Sequence, residues 1–173
     1  MVEMQHTRPD QSRVIKAMAY LNKPGTLERT IALSEIQAVL HRYAVLARDN
    51  AAWDQMALLL TKDGLYRLPN GTVVKPSEMS TVVQGQEAKY IRHHITSIDV
   101  HFTSDNEARS IALYLAVTDK SAPDHWGQWE DVFRRTEDGA WLIADRSIVV
   151  DGCDPKGWFG TTYGVPKVVK GTE

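Results

Sequence analysis

The chain has 173 residues, 43% of them hydrophobic and 24% charged, with a formal net charge of −2. That length suits one ordinary globular domain, and no basic stripe is available to neutralise phosphates, which argues against a nucleic-acid partner. No apolar run approaches the roughly 20 residues needed to cross a bilayer, and the polar opening with Glu3 and Asp10 does not read as a signal peptide, so a cytoplasmic protein away from membranes is expected.

Residues 1–27 carry Pro9, Pro24 and Gly25 among several charges and read as an N-terminal arm, with one short helix conceivable over Val14–Leu21. From Leu27, the residues Ile31, Ile36, Val39, Leu40, Tyr43 and Ala47 recur at helical spacing and predict a helix ending near Arg48–Asn50. Asp49 or Asn50 is placed to cap a second, shorter helix, Ala51–Leu60. After Lys62-Asp63-Gly64 the period shortens, and Leu65–Leu68 suits a strand closed by the Pro69-Asn70-Gly71 turn. Pro76-Ser77-Glu78 opens a third helical stretch to about Lys89. Four strands follow, at Ile91–Thr103, Ala108–Thr118, His125–Arg135 and Trp141–Val150, separated by turn-rich segments.

Helices first and antiparallel strands afterwards indicate the α+β class, with helices packed on one face of a bent sheet. A bent sheet leaves a hollow. Trp53, Tyr66, Trp126, Trp129, Trp141, Trp158 and Phe159 can line it as an aromatic pocket, or serve as ordinary core residues. The tail, 152–173, is loop-like in composition but has enough apolar surface to lie over the pocket. The single cysteine, Cys153, offers neither an intrachain disulfide nor a metal-ligand spacing, and a reducing compartment is the default.

Several motifs together carry a resemblance. Arg42-Tyr43-Ala44, Asp49-x-x-x-Trp53-Asp54 and Asp63-Gly64-x-Tyr66 come first. Arg92-His93-His94-Ile95-Thr96, Gly127-x-Trp129-x-Asp131-x-Phe133-Arg134-Arg135 and Asp138-Gly139-x-Trp141-x-Ile143-x-x-Arg146 follow. In order and spacing, over about residues 28–151, they resemble the SnoaL-like branch of the NTF2-like superfamily. The resemblance implies a conical α+β fold, a bent mixed or antiparallel sheet with three helices on its concave side, and a homo-oligomer, dimer or trimer. That superfamily includes polyketide cyclases, dehydratases, ketosteroid isomerases and a dehydrochlorinase, as well as non-catalytic dioxygenase β subunits, so fold alone does not fix chemistry.

By the same resemblance, Asp49 and His93 form a catalytic dyad with no metal and no cofactor. Its physical sense is clear: a neutral imidazole accepts a proton, and a carboxylate on its other nitrogen steadies the imidazolium. Asp49 has a competing role as a helix cap. His93 faces a parity problem, because on a regular strand His94 shares a face with Ile98, Val100 and Phe102. A β-bulge near Thr96–Ser97 would turn His93 inward instead. Tyr43, Trp53, Tyr66, His94, Trp129 and Asp131 are candidate substrate contacts. Asp131 is either paired with an arginine, a working acid, or solvent-exposed. Arg134, Arg135 and Arg146 are read as strand-end ion pairs or anion contacts, and His41, His101 and His125 as surface or core groups.

The expected function is a cofactor-independent lyase or dehydratase acting on a small cyclic or aromatic substrate, with loss of water or another small group such as an aldehyde; the resemblance also implies a place in breakdown of aromatic compounds. The alternatives are an isomerase or cyclase of the same fold, and a non-catalytic ligand-binding or dioxygenase-β-like subunit.

Overall fold

The computed structural model describes residues 27–48, 51–82 and 88–166. The chain divides into two compact units, 1–32 and 33–173. Of the first, residues 27–32 are described, and they form the opening turns of helix α1, Leu27–Leu46. The arm read over residues 1–27 lies outside the described residues except for Leu27, which opens the helix, and so do Asp49, Asn50, 83–87 and the end of the tail from 167.

Within the second unit, α1 buries Ile36, Leu40 and Tyr43, three positions on one helical face. Ile31, assigned to the same stripe, is half exposed. A five-residue helix α2 (Trp53–Ala57) follows, buried through Met56. It is shorter than expected because Leu60 already belongs to strand β1, Leu60–Arg67. Its N-cap position falls on Ala52, which makes no side-chain cap; Asp49 and Asn50, considered for capping, lie outside the described residues. After a two-residue strand β2 (Val73–Val74), the third helical stretch is a 3-10 helix, Pro76–Thr81; residues 83–87 lie outside the described residues, and Ala88 and Lys89 are not helical. Glu78 accepts from the Lys75 backbone N–H at 2.9 Å and fixes its start.

Strands β3 (Ile91–Phe102), β4 (Glu107–Thr118), β5 (His125–Arg135) and β6 (Trp141–Cys153) complete a curved, open sheet in the order β2-β1-β6-β5-β4-β3. All neighbours are antiparallel except β1 and β6, which run parallel, so the sheet is mixed. The tail is not purely loop: β6 extends into it to Cys153, and a short helix α3 (Trp158–Tyr163) buries Trp158 and Phe159. Composition hid this helix, since Gly157 and Gly164 flank it and Gly160 lies within it.

Two features of the sheet position the site. On β4 the inward residues are Ala108, Ser110, Ala112, Tyr114, Ala116 and Thr118, nearly all small. Small side chains on the inner face leave room for the aromatics of α1 and β5. On β3 the pairing register slips between Ile95 and Ser97, leaving Thr96 as the extra residue of a bulge. Burial follows suit: Ile91, His93 and Ile95 turn inward before the bulge, and Ile98, Val100 and Phe102 after it.

Candidate active site

The concave face of the second unit encloses a cavity of about 300 Å³. Its walls are mostly apolar and aromatic: Trp53 and Met56 from α2, Tyr66 from β1, Trp129 from β5, Ile148 and Val150 from β6, and Trp158, Phe159 and Tyr163 from α3. Polar atoms enter at few points, through Tyr43, Tyr66, His93, Tyr114 and His125, with Arg48 at its wall. A hollow of this size with few polar groups suits a ring-sized guest.

His93 reaches the cavity because of the Thr96 bulge, while His94 is exposed on the opposite face. The Nδ1 of His93 is buried and has no hydrogen-bond partner among the described residues. Its ring meets Tyr114 at 5.3 Å, Trp129 at 5.3 Å and His125 at 5.8 Å between centroids. Burial, with His125, Arg146 and His94 adding to it, pulls its pKa from 6.5 to about 3, so the imidazole stands neutral. Asp49, its expected partner, lies outside the described residues.

Below the histidines, the phenols of Tyr43 and Tyr66 are hydrogen-bonded to each other. One hydroxyl donates to the other, which leaves one phenolic proton for a guest. Burial raises both phenols above their ordinary value, Tyr66 the more strongly, against the pull of the Arg146 guanidinium, so both remain neutral donors. Arg146 is itself fully buried, its guanidinium 4.0 Å from the Tyr43 ring centroid and 4.5 Å from that of Trp129. Asp131 holds it through two bonds of 2.7 Å. Asp131 is therefore the paired carboxylate among the readings considered for it, and Arg146 is a buried support rather than a strand-end pair. Neither lines the cavity.

Of the aromatics expected at the wall, Trp53, Tyr66, Trp129, Trp158 and Phe159 are there. Trp141 is buried against Phe102 instead, and Trp126 points outward. His125, read from sequence as a surface or core group, lines the cavity, as does Tyr114. The signal for His125 lay in strand parity: it shares its face with Gly127, Trp129, Asp131 and Phe133. Among the described residues, no group of three or more His, Cys, Asp or Glu side chains is placed to hold a metal ion.

A curved mixed sheet enclosing an aromatic cavity with inward histidine and tyrosines defines an NTF2-like protein. The chain belongs to the SnoaL-like domain family, which matches residues 28–147. No curated protein matches the chain in sequence. Among solved structures it is similar to a candidate scytalone dehydratase from Novosphingobium aromaticivorans, at 17% identity and a TM-score of 0.67, over 84% of this chain and 98% of that one. It is similar to the LinA-type3 hexachlorocyclohexane dehydrochlorinase of Novosphingobium barchaimii, at 13% identity and a TM-score of 0.65, over 74% and 92%. ActVI-ORFA of Streptomyces coelicolor is a third, at 20% identity and a TM-score of 0.56, over 69% and 96%. At these identities the likenesses establish the fold. No helix among the described residues is long and apolar enough to cross a membrane.

Proposed function

We propose that this protein is a cofactor-independent lyase of the dehydratase type, which removes a proton from a small cyclic or aromatic substrate and expels water or another small group. The observation that carries the reading is the buried Nδ1 of a neutral His93, without a hydrogen-bond partner among the described residues, on the wall of an apolar cavity. A neutral imidazole in a water-poor site can take a proton from carbon. The imidazolium so formed needs a carboxylate, and Asp49 is assigned that role by the SnoaL-like motif Asp49-x-x-x-Trp53-Asp54. The free phenolic proton of the Tyr43–Tyr66 pair can hold a carbonyl oxygen as charge develops on it. Trp53 and Trp129 supply flat walls for a ring.

The phenol pair also favours a second reading, an isomerase that stabilises an enolate and returns the proton to another carbon. Both readings share the first step. Dehydratase and dehydrochlorinase names among the structurally similar proteins support elimination as the first choice.

The test is a mass-spectrometric screen of small cyclic and aromatic alcohols, run with the wild-type chain, Asp49→Asn and His93→Ala. We expect a mass loss for at least one compound, and a rate lower by about 10²–10⁴-fold in each variant. Variants that turn over at the wild-type rate would refute the dyad. A cavity that binds these compounds without converting any would mark a binding subunit.

A further inference from the structure

Beside His93 the cavity holds a second imidazole, and this one has its carboxylate in view. His125 opens strand β5, its ring 5.8 Å from that of His93 and 5.9 Å from that of Tyr114. Its Nδ1 lies 2.8 Å from Oδ1 of Asp124, which is completely buried. Three further donors converge on that carboxylate. The Phe159 N–H reaches Oδ1 at 3.1 Å, and Oδ2 takes the Thr118 hydroxyl at 2.8 Å and the Trp158 N–H at 2.6 Å.

This arrangement fixes two protons. The Thr118 oxygen already accepts from the Lys120 and Ser121 backbone N–H groups, at 3.1 and 3.3 Å, so its own proton goes to Asp124. With three donors already on the Asp124 oxygens, Nδ1 of His125 is placed to donate the fourth bond and so to carry the proton. The free nitrogen, Nε2, has no hydrogen-bond partner among the described residues, and the ring lines the cavity. A carboxylate so placed selects the tautomer and steadies the charged ring.

We propose that His125 is a specificity-determining residue of this cavity, whose Nε2 accepts a hydrogen bond from a hydroxyl substituent of the substrate and so positions it. The proposal rests on the lyase reading above and adds the chemical class, a ring bearing a hydroxyl group. In the elimination, His93 takes the proton from carbon, and the C–H electron pair becomes the new C=C bond. The C–O bond breaks with its electron pair on oxygen, which takes the proton from the His93 imidazolium and departs as water, while Nε2 of His125 holds the hydroxyl in place. His93 is then neutral again, and both histidines stand ready for the next cycle. Burial lowers the proton affinity of His125 while Asp124 opposes that effect, whereas His93 is drawn to about 3.

The experiment uses the full chain with ¹⁵N-labelled histidine, titrated with 2-naphthol and separately with naphthalene. Without ligand, His125 should show the Nδ1–H tautomer. On adding 2-naphthol the His125 Nε2 resonance should shift, and with naphthalene it should stay. Affinity should favour 2-naphthol by roughly tenfold, as one hydrogen bond allows, and His125→Phe should remove that preference. An Nε2–H tautomer, or 2-naphthol moving His93 while His125 stays still, overturns this proposal and leaves the lyase reading standing. If neither ligand moves either histidine, the cavity admits no such guest and both readings fall. Should His125→Phe not fold, the nitrogen shifts of the unaltered chain decide.

Discussion

His93 was legible in the sequence as a residue type at a motif position, but not as a direction. On an unbroken strand His94 would have faced the sheet's inner side; the single extra residue at Thr96 reverses that parity and puts His93 in the cavity. Motif order could suggest a bulge, whereas its presence depends on pairing with Tyr114 and Leu113 across the sheet. The burial of His93 has a consequence for stability. Unfolded, it takes up a proton near pH 6.5; folded, only near 3. Between those values the unfolded chain binds more protons, so acidification favours unfolding. Urea midpoints should fall as pH drops from 7 towards 4, and His93→Phe should flatten that slope. Asp131 and Arg146 make a different case. Asp131→Asn leaves a buried guanidinium without its counter-charge, which should cost on the order of 3–5 kcal/mol in urea unfolding.

Among the elements, the long ones followed from periodicity. Helix α1 and strands β3–β6 show 3.6-residue or two-residue patterns over ten or more positions, and their boundaries fall within a few residues of expectation. The short ones did not, because a five-residue helix or a single 3-10 turn is held by tertiary contacts rather than by pattern. Helix α3 illustrates the point: Asp124, over thirty residues away, accepts from its first two N–H groups and so fixes its start. Gly157 is required there, since a Cβ would sit 2.6 Å from Oδ2 of Asp124. Gly157→Ala should therefore push α3 off the carboxylate. Hydrogen exchange should show faster amide exchange at Trp158 and Phe159, with β3–β5 unchanged; equal protection in both chains would count against Asp124 as the anchor.

At the scale of the molecule, the α+β class and the family followed from the order of elements and motifs, but the cavity's second histidine did not, since strand parity turns it inward without separating a cavity group from a core group. The sheet carries an unusual inversion: β4 turns small residues inward and leaves Ile111 and Leu113 outside, 44% and 41% exposed. Trp126 on β5, 40% exposed, shares that outer face across the β4–β5 ladder. Such a patch on the outer face of the sheet is what the expected homo-oligomer would cover. Sedimentation velocity should show a dimer or trimer that Leu113→Glu dissociates; a monomeric wild-type chain at micromolar concentration would reject it.

The account as a whole depends on a base inside the cavity that reaches a carbon acid. The most direct measurement is exchange of the α-hydrogens of 2-tetralone in D₂O, followed by mass spectrometry with wild-type protein and with His93→Ala. Deuterium uptake faster than in buffer, and lost in the variant, is the predicted result. Uptake no faster than in buffer, or equally fast in His93→Ala, would contradict it.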